Sequence, residues 1–432
     1  MSRIPLTISC LLAMMACSQP AQVETTEFIV DGLQVIFKHT PGNPVVATGL
    51  FLRGGTNYVG SRQAGIEKFM LEAARGGTET RGKDELNAEL ESLGTSLDVL
   101  AEYDYTAIGF QCLLDGFQSS WNLFTDVILH PRFDPRELEL VRQRMVAAIA
   151  AEDEEPSRYA HRVANELYYE GHPYGVSVNG MTTSIVSLTR KDLIQYHRGD
   201  FTKNRMLLVI LGDLEEPDIT RKARELARQL PLGPELRLPS LTFSPGKADL
   251  AVAQRRLASH YILGLFDAPR PGDPDYPAFT AATRILSNRL SEDLRSKHGL
   301  TTELSAGASN RIANHGYLMV TTTEPNRTLR AIFQTIDEVI LDPIPEKQLK
   351  DVLTSSVTRY LLDNESAVNQ LLQLAMWEIV GEAWEKGDQY LPEIGELSPE
   401  DIQVVLRKYM RNIHFGVVGN RQQVSEQLFT SR

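Results

Sequence analysis

Gly65-Ile66-Glu67-Lys68-Phe69-Met70-Leu71-Glu72-Ala73-Ala74-Arg75-Gly76-Gly77-Thr78-Glu79-Thr80-Arg81 is the stretch that decides the fold. Ile66, Phe69, Met70 and Ala73 recur at i, i+3, i+4 and i+7, the spacing of one buried helical face, and Gly76-Gly77 stops the helix. The glycine before the helix, Phe69 at its centre and the Gly-Thr and Arg81 after it form a distinctive frame.

That frame resembles the catalytic helix of the pitrilysin/insulinase family of metallopeptidases, whose inverted zinc motif is H-x-x-E-H. There two histidines hold Zn²⁺ and the glutamate activates the attacking water. Laid residue by residue over this chain, the first histidine falls on Lys68, the glutamate on Leu71 and the second histidine on Glu72. The family's third ligand, a glutamate on a later helix, falls on Ala148 within Pro135 to Ala151. An ammonium, an isobutyl group and a methyl group cannot ligate a metal, and Glu72 alone makes no zinc site. The expectation is therefore no catalytic residue, no metal and no cofactor at these four degenerate positions. Lys68 and Glu72, one turn apart, either pair with each other or are simply solvated.

Working outward, Phe28-Ile29-Val30, Asp31-Gly32 and Leu33 to Phe37 read as a hairpin, because Asp-Gly between apolar runs favours a tight primed turn. Gly94 to Thr106 resembles the family's edge-strand region, with Asp98 where asparagine is usual. In active relatives that edge receives substrate as an added strand; the alternative here is a strand that only closes the sheet. Helices are expected at Lys83 to Leu93, Gly116 to Leu129 and Tyr159 to Tyr169, a capped one at Thr189 to Tyr196, and a buried strand at Met206 to Leu211.

Proline and glycine cluster between Pro231 and Gly246, the clearest linker. Beyond it the pattern returns. Ser187 to Leu193 is echoed by Glu396 to Ile402, offset 401 − 192 = 209, and Gly212-Asp213 by Gly419-Asn420, offset 419 − 212 = 207. Two near-equal offsets in one order indicate duplication. The expected fold is thus α+β, two homologous α/β-sandwich halves in a pitrilysin-like clamshell: 25–230 N-terminal, 231–248 linker, 249–432 C-terminal.

In active relatives the C-terminal half holds substrate through an arginine and a tyrosine seven residues later. These fall on Arg295 and Thr302. Arg295 either binds substrate or pairs with Glu292 on its own helix.

The first residues carry Arg3, an apolar run from Ile4 to Ala16 and then Cys17-Ser18. Met14-Met15-Ala16-Cys17 resembles a bacterial lipobox, which implies a signal peptide over 1–16, lipidation at Cys17 and a tether over 17–24. The alternative is an ordinary cleaved signal. Ser18 suggests an outer-membrane lipoprotein on the periplasmic side of a bacterial envelope. With Cys10 removed and Cys17 acylated, Cys112 is the last thiol, read as a core residue in an apolar strand.

A net charge of −12 without a basic stripe argues against nucleic acid. No Gly-x-Ser-x-Gly, phosphate loop, C-x-x-C or H-x-x-x-H is present. Two functions fit: an inactive subunit that joins a homologous zinc-bearing peptidase subunit around extended or unfolded peptides, membrane-tethered through its lipid, or a stand-alone peptide-binding scaffold lipoprotein.

Overall fold

The computed structural model describes residues 23–234, 236, 243 and 246–432; the signal, Cys17 and part of the linker lie outside the described residues. Among the described residues eleven strands form two sheets. The first contains β1 Glu24–Val30, β2 Leu33–His39, β3 Val45–Arg53, β4 Ser96–Ala101, β5 Tyr105–Leu113 and β6 Met206–Gly212, in the order β1-β2-β6-β3-β5-β4. The second contains β7 Asp249–Gln254, β8 His260–Asp267, β9 Glu303–Ala308, β10 His315–Thr322 and β11 His414–Gly419, in the order β7-β11-β8-β10-β9. With β1 set aside the two orders are the same. In each, one pair is parallel, β2·β6 and β7·β11, and the remaining neighbours are antiparallel.

Local chemistry sets these elements. Asp31 (φ 47°) and Gly32 (φ 86°) both take the left-handed conformation, which gives the β1–β2 turn the twist of its strands. Thr189 and Ser398 cap equivalent helices with the same reciprocal box, Asp192 and Asp401 each returning a bond to the cap. The duplication read from the offsets is therefore structural.

Each sheet is apolar on both faces. One face of the first packs Val35, Leu50 and Ile108 against helices of its own half, including Phe117–Leu129. The other, with Ile36, Phe51, Leu207 and Val209, is covered by Leu371, Ala375 and Met376 on the helix Ala367–Ile379 from the second half. In return the helix Pro156–Tyr168, from the first half, lays Ala164 and Tyr168 on Leu263 and Leu265 of the second sheet. These two crossing helices interlock the halves. Gly416 permits the second contact, since a Cβ there would stand 2.7 Å from the Ala164 Cα. β6, Met-Leu-Leu-Val-Ile-Leu-Gly, is buried along its whole length because both its faces are covered.

Candidate functional site

The motif helix spans Ile66–Ala74. Gly65 enters it at φ 83°, and a side chain there would meet the Asn179 carbonyl at 2.9 Å. Glycine is thus required both for the turn and for the close approach of the Asn179-Gly180 loop. The predicted face, Ile66, Phe69, Met70 and Ala73, is buried in the first core.

On the cleft side, Lys68 Nζ donates to Asn179 Oδ1 at 2.5 Å, and Asn179 Nδ2 donates to Glu152 Oε1 at 3.0 Å. Glu72 accepts from Arg75 Nη1 at 3.1 Å. The proposed Lys68–Glu72 pair is therefore corrected: an amide on a neighbouring loop and an arginine one turn on take the two charges instead. Lys68, Glu72 and Ala148 nonetheless line one cleft of about 230 Å³, together with Arg144, Glu152 and Asn179. Leu71 turns away into the core at 3% exposure. The ligand helix carrying Ala148 runs Pro135–Glu154, started by Asp134, which accepts from two backbone N–H groups.

A zinc ion does not fit this donor set. Tetrahedral zinc needs three deprotonated protein ligands, whereas the cleft offers two carboxylates facing an ammonium and a guanidinium. Among the described residues no three His, Cys, Asp or Glu side chains gather to hold a metal.

One residue the sequence reading missed is Glu67. At 3% exposure its carboxylate accepts from Arg205 Nη2 at 2.7 Å, Tyr196 OH at 2.5 Å and Thr106 Oγ1 at 2.8 Å. Arg205 also donates to the carbonyls of Arg53 and Asp200 and lies 3.5 Å over the Tyr58 ring. Burial alone would lower the Arg205 pKa, but Glu67 and Tyr196 hold it above its ordinary value. Burial, reinforced by Glu67, pushes the Tyr196 phenol well up. The sequence signal was Arg205 placed directly before an unbroken apolar strand.

Arg295 sits on the turn Ser291–Lys297, exposed, and lines neither this cleft nor the one beside β4. Its expected partner Glu292 lies 3.2 Å from Lys297 Nζ instead, five residues along, because the last turn is widened to a π-helix. Thr302 is exposed just before β9. β4 is one of the two edge strands of its sheet, with Asp98 exposed and accepting from Ser96. A second cleft of about 320 Å³ runs from the start of β4 to Glu72 and Arg144, joining the edge strand to the motif helix. Cys112 is buried, and that burial pushes its thiol up and disfavours the thiolate.

Two family models match in tandem: "Insulinase (Peptidase family M16)" over residues 34–181 and "Peptidase M16 inactive domain" over 187–355. The chain belongs to the M16 peptidase family. It is 22% identical to an uncharacterized zinc protease of Mycobacterium leprae over 390 residues, 88% of this chain and 87% of that protein. Its fold is similar to the peptidase M16 inactive domain from Pseudomonas fluorescens, with TM-score 0.83 and 20% identity over 92% of this chain and 98% of that one. It is also similar to a chain of complex III2 from Candida albicans, with TM-score 0.80 and 13% identity over 95% and 99%.

Proposed function

We propose that this chain is a catalytically inactive M16 subunit that pairs with a zinc-bearing homologue to form a periplasmic peptide-degrading chamber. One observation carries the reading: the helix that would hold zinc keeps its fold and its cleft, while Lys68 and Ala148 replace ligands and Lys68 is tied to Asn179. The similarity to a chain within complex III2 supports a paired state. The edge of β4, continuous with the cleft, offers backbone donors and acceptors to an extended peptide. Lipidation at Cys17 would hold the assembly to the periplasmic side of the outer membrane.

The exposure of Arg295 away from the cleft favours a second reading, a scaffold lipoprotein that binds peptides without protease chemistry. The two separate in a pull-down of the mature chain from its own envelope, followed by metal analysis and peptide-cleavage assay. Zinc and cleavage only with a co-purified homologue are the expected result. A chain that comes alone, metal-free and inert, supports the scaffold, and stoichiometric zinc with cleavage in the isolated chain overturns both.

A further inference from the structure

Two cavities open where the halves meet, and the duplication relates them. The first, about 320 Å³, takes Arg158, His161, Arg162 and Asn165 from the crossing helix Pro156–Tyr168, and Glu152 from the ligand helix. The second, about 470 Å³, takes Asn369, Leu372, Gln373 and Met376 from the crossing helix Ala367–Ile379, and Asp363 before it. Every pair is separated by the same offset: 369 − 158, 372 − 161, 373 − 162, 376 − 165 and 363 − 152 all equal 211. The two cavities are the same place in the two copies of the fold.

Their chemistry has diverged. Arg158, His161 and Arg162 stand where the other copy has Asn369, Leu372 and Gln373. Between the cavities, and lining both, the Arg311 guanidinium stacks 3.6 Å over the Tyr103 ring. Glu102 and Asp104 join Asp363 in the second cavity, so that one is acidic and the first is basic. In the first, Arg162 is engaged by Asp153 at 2.5 Å, whereas Arg158 is two-thirds exposed and, among the described residues, has only a long ion-pair contact to Glu155 at 3.8 Å, which leaves it able to turn toward a ligand. Burial first, then the neighbouring Arg311 charge, depresses the His161 pKa, with Glu155 partly opposing the shift.

The basic cavity does not end there. Glu152 and Asn179 line both it and the vestigial zinc cleft, where Lys68 and Arg144 face inward. Lys68, Arg144, Arg158, Arg162 and Arg311 thus follow one trough, in a chain whose net charge is −12 and whose outer field would repel anions.

We infer that this trough receives the carboxylates of acidic peptides, so that the chain selects negatively charged peptide substrates. The inference rests on the peptide-binding reading above and deepens it. Arginine forks along the trough give charge-assisted hydrogen bonds to carboxylate that Asn369 and Gln373, at the positions of Arg158 and Arg162 in the other copy, cannot make.

The test uses the full mature chain and three fluorescein-labelled decapeptides in anisotropy titrations: a glutamate-rich peptide with a free C-terminus, its C-terminal amide, and its glutamine counterpart with a free C-terminus. The free acid should bind roughly ten-fold or more tighter than the glutamine counterpart, as expected for two or more charge-assisted contacts. The amide shows whether side-chain or terminal carboxylates carry the preference. Arg144→Glu with Arg158→Glu should abolish the preference, whereas the remote pair Arg327→Glu with Arg407→Glu, of equal charge change, should preserve it. Equal binding of all three peptides, or a preference untouched by the trough reversal, overturns the inference and leaves peptide binding intact. No binding by any peptide overturns both.

Discussion

Two sides of one helix tell opposite stories. On one side of Ile66–Ala74, Glu67 is sealed in a network in which each carboxylate oxygen has a donor and the arginine's own donors are used. On the other, Lys68 and Glu72 border an open cleft, each held by a single polar partner in the described residues. A buried charge must be fully compensated or the fold suffers, whereas a cleft residue can change with little cost to stability. The side that carries chemistry in active relatives is the one free to drift, and the side that carries the fold is constrained. A helix anchored this way keeps its shape whichever side chains stand on its cleft side.

The most damaging way to probe that contrast is Arg205→Met. It leaves the Glu67 carboxylate buried without a cation and should cost about 3–5 kcal/mol, read as a large drop in the thermal or urea midpoint. Unchanged stability would erase the distinction between the two sides.

Asp104 sharpens the same contrast. It is as buried as Glu67, at 2%, but among the described residues it has no cation in salt-bridge contact, only Tyr174 OH and the Ile312 N–H at 3.2 Å as donors. Burial pushes its pKa up from 3.8 to about 6, the two hydrogen bonds and Arg311 offsetting part of the shift. Between these values the folded state holds more protons than the unfolded one. The stability contributed by this group is therefore fully present below about pH 4 and lost as pH rises through about 6, a change of up to about 3 kcal/mol. Denaturation from pH 4 to 7 should show that slope, flattened in Asp104→Asn; a slope unchanged by the substitution would count against the assignment.

The smallest shift in stability should come from the cleft side. Lys68→His with Glu72→His and Ala148→Glu restores the ligand types at partly or fully exposed positions and should change stability by less than about 1 kcal/mol. It should also bind one zinc per chain, measured by metal analysis after dialysis. Failure to bind zinc in a folded variant would break the overlay of this cleft on the M16 zinc site.

Much of the molecule was legible because it is local. The apolar stripe of the motif helix, the Asp31-Gly32 turn and the matching cap boxes at Thr189 and Ser398 are written within a few residues of themselves, and the repeat offset exposes the duplication. The placement of Lys68 and Ala148 in one cleft also follows from the M16 overlay. What was not legible joins distant segments. Asn179 captures Lys68 across 111 residues, and Arg205 meets Glu67 across 138. The exchange of helices was hidden for a different reason. Pro156–Tyr168 carries an ordinary amphipathic pattern, which states that one face is buried but not which sheet buries it.

That exchange also makes each half depend on the other for its seal. β6, the last strand of the first sheet, ends at Gly212, but the helix that covers the sheet's second face begins only at Ala367, 367 − 212 = 155 residues later. Ile36, Phe51, Leu207 and Val209 thus take their helical cover from the second half. The first half therefore does not bury both faces of its own sheet. Its sheet is covered on both faces only when the second half is present, and a chain ending at the linker would leave the face of Ile36, Phe51, Leu207 and Val209 open to water.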